Sequence, residues 1–109
     1  MQASELDAKA HLAADLLLAM ANPKRLMILC HLFEGELSVT ELGKIVDMNQ
    51  SALSQQLAKL RTMRLVETRR EAQTIFYRLA SDEVVRVLET LHGIYCQADW
   101  AEPQQAEAS

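Results

Sequence analysis

The residues best suited to chemistry in this 109-residue chain are two thiols, Cys30 and Cys96. A thiolate is a nucleophile, so each works in redox or sulfur chemistry if it ionises and can be reached. His92 stands four residues before Cys96, one turn away in a helix, and close enough to assist its deprotonation. Cys30 has Leu26 and Met27 one turn behind it, the setting of a buried and poorly ionised thiol. Each has a plainer reading: free Cys is a common small core residue, and Cys96 lies near a chain end. Two thiols are too few for a disulfide scaffold, and a reducing cytosol keeps them as thiols unless something oxidises them. No Gly-rich phosphate loop, nucleophile elbow or paired-carboxylate motif accompanies them, so no enzyme activity and no cofactor are expected.

The second chemical grouping is polar and basic. Ser51, Ser54, Gln55 and Ala58 fall opposite a Leu53/Leu57/Leu60 stripe on a helical wheel, and Gln50 sits at the open N-terminal end of the same helix. Gln pairs bidentately with adenine, and Ser is permissive toward either base. Lys44, Lys59, Arg61 and Arg64 are placed to meet flanking phosphates, and Arg69 and Arg70 to reach backbone or minor groove from a neighbouring loop. Any one of these residues alone also fits a solvated helix face. Net charge supports the grouping once it is divided along the chain. The whole chain carries −4, but residues 44–78 hold 7 basic and 3 acidic groups, a net of +4 between acidic ends. One surface is thereby suited to a polyanion while the rest avoids indiscriminate binding.

Five helices and a hairpin must position these groups. Apolar residues at three- and four-residue steps predict a helix from Glu5 to Met20. Asn22-Pro23 caps and restarts the chain for a second helix to about Phe33, which Gly35 ends. Ser38 and Glu41 fit a capping box for a short third helix with Leu42, Ile45 and Val46 inward. After the Asp47-Met48-Asn49 turn, Asn49 caps a fourth helix from Gln50 to about Met63. Residues 65–68 and 74–79 are rich in β-formers and flank a polar loop, 69–73, which has no Gly to fix its turn. Ser81 caps a fifth helix whose apolar face comprises Val84, Val85, Leu88, Leu91, Ile94 and Tyr95. Short helix, tight turn, polar-tipped helix and hairpin together describe a DNA-reading helix-turn-helix. Residues 1–98 are read as one DNA-binding and dimerisation domain, and 99–109 as a polar, disordered tail. No signal peptide and no membrane-spanning run is visible, so the expected compartment is the cytoplasm and no membrane partner is expected.

Four segments, residues 19–26, 36–42, 50–57 and 75–79, resemble in order and spacing the ArsR family of bacterial winged-helix repressors, over roughly residues 6–97. The resemblance implies a mainly α, winged helix-turn-helix fold (ααααββα) with a small β-hairpin and dimer helices at both ends. It implies a homodimer, double-stranded operator DNA as partner, and release of that DNA when an inducer is sensed. Leu17/Leu18 and Leu88/Leu91/Tyr95 fit such a dimer interface and would serve equally as core.

Many members sense metals, and here the sequence departs from them. Ser38 and Thr40 stand where thiolate sensors carry Cys-x-Cys, and hydroxyls are poor ligands for soft metals. Asp82 is followed by Glu83-Val84, and His92 has Tyr95 three residues on, so the last-helix zinc pattern is missing and no metal site is expected. The Cys30/Cys96 pairing instead resembles the BigR/SqrR/HlyU-like branch, which responds to reactive sulfur species or redox state. That resemblance implies bridging of the two sulfurs, as a disulfide or polysulfide, with loss of DNA affinity. Cys96, beside His92, would react first and Cys30 would resolve. Three other readings stand beside it: a general, peroxide-responsive redox regulator, an anti-silencing activator of the same fold, and a protein-interaction module without DNA affinity.

Overall fold

The computed structural model describes residues 2–95. Its elements are α1 (Ala3–Met20), α2 (Pro23–Phe33), β1 (Leu37–Ser38), α3 (Val39–Ile45), α4 (Gln50–Thr62), β2 (Val66–Glu71), β3 (Thr74–Leu79) and α5 (Asp82–Tyr95). Cys96 and the expected tail lie outside the described residues.

Local side chains set the helix boundaries. Asn22 Oδ1 accepts from the Lys24 and Arg25 backbone N–H groups at 2.9 and 3.1 Å, with Pro23 at the first helical position. Gly35 ends the turn after α2 at φ 152°, a backbone value that side chains rarely adopt. Ser38 and Glu41 form the reciprocal capping box: Ser38 Oγ accepts from the Glu41 N–H at 3.0 Å, and Glu41 accepts from the Ser38 N–H at 2.8 Å. Asn49 Oδ1 accepts from the Ala52 N–H at 2.8 Å, which starts α4. A cap of this kind contributes about 1 kcal/mol.

The end of α4 departs from preference. The Leu65 N–H reaches back to the Leu60 carbonyl, and the Arg64 N–H to the Arg61 carbonyl, both at 2.9 Å. This is a Schellman motif, which places the residue after the cap in the left-handed region, usually glycine. Here that residue is Arg64, at φ 61°.

The sheet is antiparallel with order β1-β3-β2. Its β1 strand, pairing Leu37 with Tyr77 and Ser38 with Phe76, was not anticipated, because two residues carry no readable alternation. The hairpin is also tighter than expected. Arg69 pairs with Phe76, Arg70 with Ile75 and Glu71 with Thr74, so only Ala72 and Gln73 connect the strands, Ala72 at φ 59°. Arg69 and Arg70 are therefore strand residues, not loop residues.

The core gathers Ile28, Leu29 and Leu32 of α2, Leu42 and Val46, the Leu53/Leu57/Leu60 stripe, Leu65, Val66, and Val84 and Leu88 of α5. Ile45, expected inward, is 47% exposed, because Leu42 and Val46, one turn apart, already turn the buried side of this short helix inward. On α5, Ile94 and Tyr95 likewise face solvent. Along α1 only Ala19 and Met20 are buried, so this 18-residue helix stands largely clear of the core. No single helix among the described residues is long and apolar enough to cross a membrane.

Candidate nucleic-acid interface

α3, the 46–49 turn and α4 form the helix-turn-helix, and β2–β3 the wing. Burial of Leu53, Leu57 and Leu60 fixes the roll of α4, so Ser51, Ser54 and Gln55 lie exposed on its outer side, with Gln50 exposed at its N-terminal end. Lys44, Lys59, Arg61, Arg64 and Arg70 are exposed as well. The turn is tied from behind: Lys24 Nζ donates to the Asp47 carbonyl at 2.9 Å, joining the start of α2 to the turn that orients α4. Sequence spacing gave no sign of this bond across 23 residues.

Arg69 has a different setting from the other basic groups. Its Nε donates to both oxygens of Glu36 at 2.9 Å, its Nη2 lies 2.8 Å from Glu36, and its Nη1 lies 3.3 Å from Glu71. Its guanidinium also sits 4.5 Å from the centroid of the Phe76 ring. The hydrogen bonds and charge of Arg69 hold the Glu36 carboxyl below its ordinary value, and Glu36 and Glu71 in turn push the Arg69 pKa up. Arg78 is likewise engaged, donating to Glu67 at 2.6 Å across the hairpin.

Glu83 is also lowered, by its own backbone N–H at the start of α5 and by the Ser81 hydroxyl. Carboxyls depressed in the folded state stabilise it above their ordinary value of 4.5, and that contribution is lost as pH falls through the lower folded value. Melting temperature is thus expected to fall on acidification below pH 4.5, with a shallower fall in Glu36→Gln. Thermal melts across that range check it.

Cys30 lies toward the end of α2 away from its capped start. Cys30, expected to be buried, is half-buried. The buried face of α2 is Ile28, Leu29 and Leu32; Cys30 turns well away from it on a helical wheel, nearer Phe33, and both are only partly buried against the core. Met27, expected to cover it, is itself 50% exposed. The Phe33 and His92 rings meet at 5.5 Å between centroids, tilted by 34°. This contact sets the Cys30-bearing side of α2 against the last described turn of α5, and Cys96 follows that helix in sequence. No three His, Cys, Asp or Glu side chains among the described residues come together as a metal cage.

A third feature borders α1. Leu12, Leu16, Leu18, Arg25, Met63 and Leu65 help line a cleft of about 960 Å³ between α1, the end of α4 and the start of α5.

A capped and outward-facing α4, behind a short α3 and beside the β2–β3 wing, defines a winged helix-turn-helix, DNA-binding transcriptional regulator. Residues 22–68 match the bacterial regulatory protein, arsR family. The chain is 52% identical over 99 residues to the transcriptional activator HlyU of Vibrio cholerae, covering 91% of this chain and 92% of that one. It is 48% identical over 91 residues to the biofilm growth-associated repressor of Agrobacterium fabrum, covering 84% and 78% respectively. The solved structure of reduced HlyU from Vibrio cholerae superposes with a TM-score of 0.82 at 54% identity, over 85% of this chain and 98% of that one. The chain belongs to the ArsR family and is a transcriptional regulator, not an enzyme; its relatives include both an activator and a repressor.

Proposed function

We propose that this regulator is a homodimeric repressor that acts in the cytoplasm, holds a specific operator, and releases it when Cys30 and Cys96 become bridged by reactive sulfur species. The observation that carries this reading is the Phe33–His92 contact, which sets the Cys30 side of α2 against the end of α5. The chemistry balances. A Cys96 thiolate takes the outer sulfur of a persulfide donor and releases the donor thiol. Attack by the Cys30 thiolate on the inner sulfur of the resulting persulfide then forms a disulfide and expels hydrosulfide. If a second donor first converts Cys30 to its own persulfide, attack of one persulfide on the other leaves a trisulfide and again expels hydrosulfide. Because α2 carries both Cys30 and Lys24, a shift of α2 on bridging would pass through the Asp47 carbonyl to the turn ahead of α4.

Gln50, Ser51, Ser54 and Gln55 are assigned to base edges, and Lys44, Lys59, Arg61, Arg64 and Arg70 to phosphates. Arg64 gives a test with opposed signs. Arg64→Gly relieves the left-handed backbone and is expected to stabilise the fold by about 1 kcal/mol. The same change should weaken DNA binding and reduce its salt slope by about 0.9 per protomer. Thermal melts and salt titrations report the two effects separately.

The whole reading is tested by selecting an operator from a random duplex library, then exposing the complex to a persulfide donor or to peroxide. Release by the donor alone, with a sulfur-containing mass increment on the intact protein, supports sulfur sensing. Release by both, with loss of two hydrogens only, supports the general redox reading. Since one relative is an activator, a reporter in a deletion strain fixes the sign: expression rises for a repressor and falls for an anti-silencer.

A further inference from the structure

We propose that Arg69 is a positioning residue that clamps the wing to the end of α2, and that Arg70 is the wing cation that meets DNA phosphate; this rests on the DNA-binding role of the fold. Adjacent strand residues point to opposite faces, so Arg69 and Arg70 do different work although they are neighbours. Arg69 shares a face with its cross-strand partner Phe76 and stacks on that ring. Its fork closes on Glu36, in the connection between α2 and β1, 33 residues away in sequence. A planar guanidinium gripping one carboxylate through two nitrogens fixes direction as well as distance. The clamp thus sets the wing relative to the helix-turn-helix. Arg70, on the other face, makes no ion pair among the described residues and is exposed.

Electrostatics argue against Arg69 as a phosphate ligand. Turning toward DNA would either break the Glu36 fork or bring the Glu36 and Glu71 carboxylates toward the phosphates, cancelling the gain. The Glu36 side chain is 27% exposed and its partner 44%, and Arg69 pairs with Phe76 midway along the hairpin, short of the Ala72-Gln73 turn.

Fluorescence anisotropy with a labelled mixed-sequence duplex, titrated over a range of salt, separates the roles. Arg70→Ala is expected to lower the slope of log affinity against log salt by about 0.9 per protomer. Arg69→Ala, Arg69→Lys and Glu36→Gln should each weaken binding several-fold with the slope unchanged, because lysine keeps the charge but cannot form the fork. The proposal is overturned if Arg69→Ala lowers the slope as Arg70→Ala does and lysine restores it. It is equally overturned if Glu36→Gln tightens binding, or if all three clamp variants bind as wild type. Should Arg69→Ala fail to fold, Glu36→Gln and Arg69→Lys decide the matter. A wild-type protein with no salt-dependent duplex binding would sink the DNA-binding role and this proposal together.

Discussion

Cys30→Ser and Cys96→Ser are each expected to bind operator like the wild type in reductant and to stay bound when a persulfide donor is added. The wild-type effect should be large. Moving a site from nearly full to nearly empty takes about a 10⁴-fold change in affinity, about 5.5 kcal/mol. On the proposed mechanism a bridge from Cys30 to Cys96 forms only when both sulfurs are present, so either substitution removes the whole response. The two variants should nonetheless differ by mass. Cys30→Ser keeps the thiol that reacts first and should accumulate added sulfur on Cys96. Cys96→Ser retains only Cys30, half-buried on α2, and should stay largely unmodified. If the masses are reversed, Cys30 is the attacking thiol and the order of steps is wrong. If both variants still release DNA, the dithiol has no part in the switch.

Much of this architecture was legible because it is encoded locally. Asn22, Ser38 with Glu41, Asn49 and Ser81 each satisfy a backbone N–H within three residues, so each cap can be read from a short window. The leucine stripe of α4 fixes its outer face by periodicity alone, which is why Ser51, Ser54 and Gln55 are found exposed together, with Gln50 exposed at the helix start. What escaped the sequence is what pairs distant residues. The polar run 69–73 looks like a loop by composition, but pairing with Ile75 and Phe76 draws Arg69 and Arg70 into the strand. Stacking of Arg69 on Phe76 and its fork to Glu36 then offset the poor strand propensity of a charged pair. Ala72, at φ 59°, takes the turn position that a glycine would have announced. Cys30 was misplaced for a related reason: wheel neighbours alone do not say which arc of a helix meets the core, and Phe33 meets His92 from the far end of the chain.

Leu17→Glu is expected to convert the protein to monomers and to weaken operator binding by roughly 10²–10⁴-fold, the loss that follows when two linked half-site contacts become separate events. The case begins with exposure. Leu6, Leu12, Leu17 and Leu18 are 57%, 71%, 56% and 70% exposed, an apolar display that α1 does not bury within its own domain. Leu6, Ala10, Ala13 and Leu17 follow steps of four, three and four residues, so they form one stripe along α1. Helices in proteins draw most of their stability from packing an apolar face, so α1 needs a surface to lie on. The adjoining cleft, walled by Leu12, Leu16, Met63 and Leu65, offers one of matching polarity to the same helix of a second copy. In a two-fold interface every substitution counts twice. Removing one buried Leu per protomer therefore costs about 3–6 kcal/mol of dimer stability, before the repulsion of two introduced carboxylates. Sedimentation and circular dichroism should show loss of the dimer with partial loss of helix, while the Leu53/Leu57/Leu60 core and the wing remain folded. A Leu17→Glu protein that stays dimeric and keeps its operator affinity would mean that this stripe faces something other than a second copy.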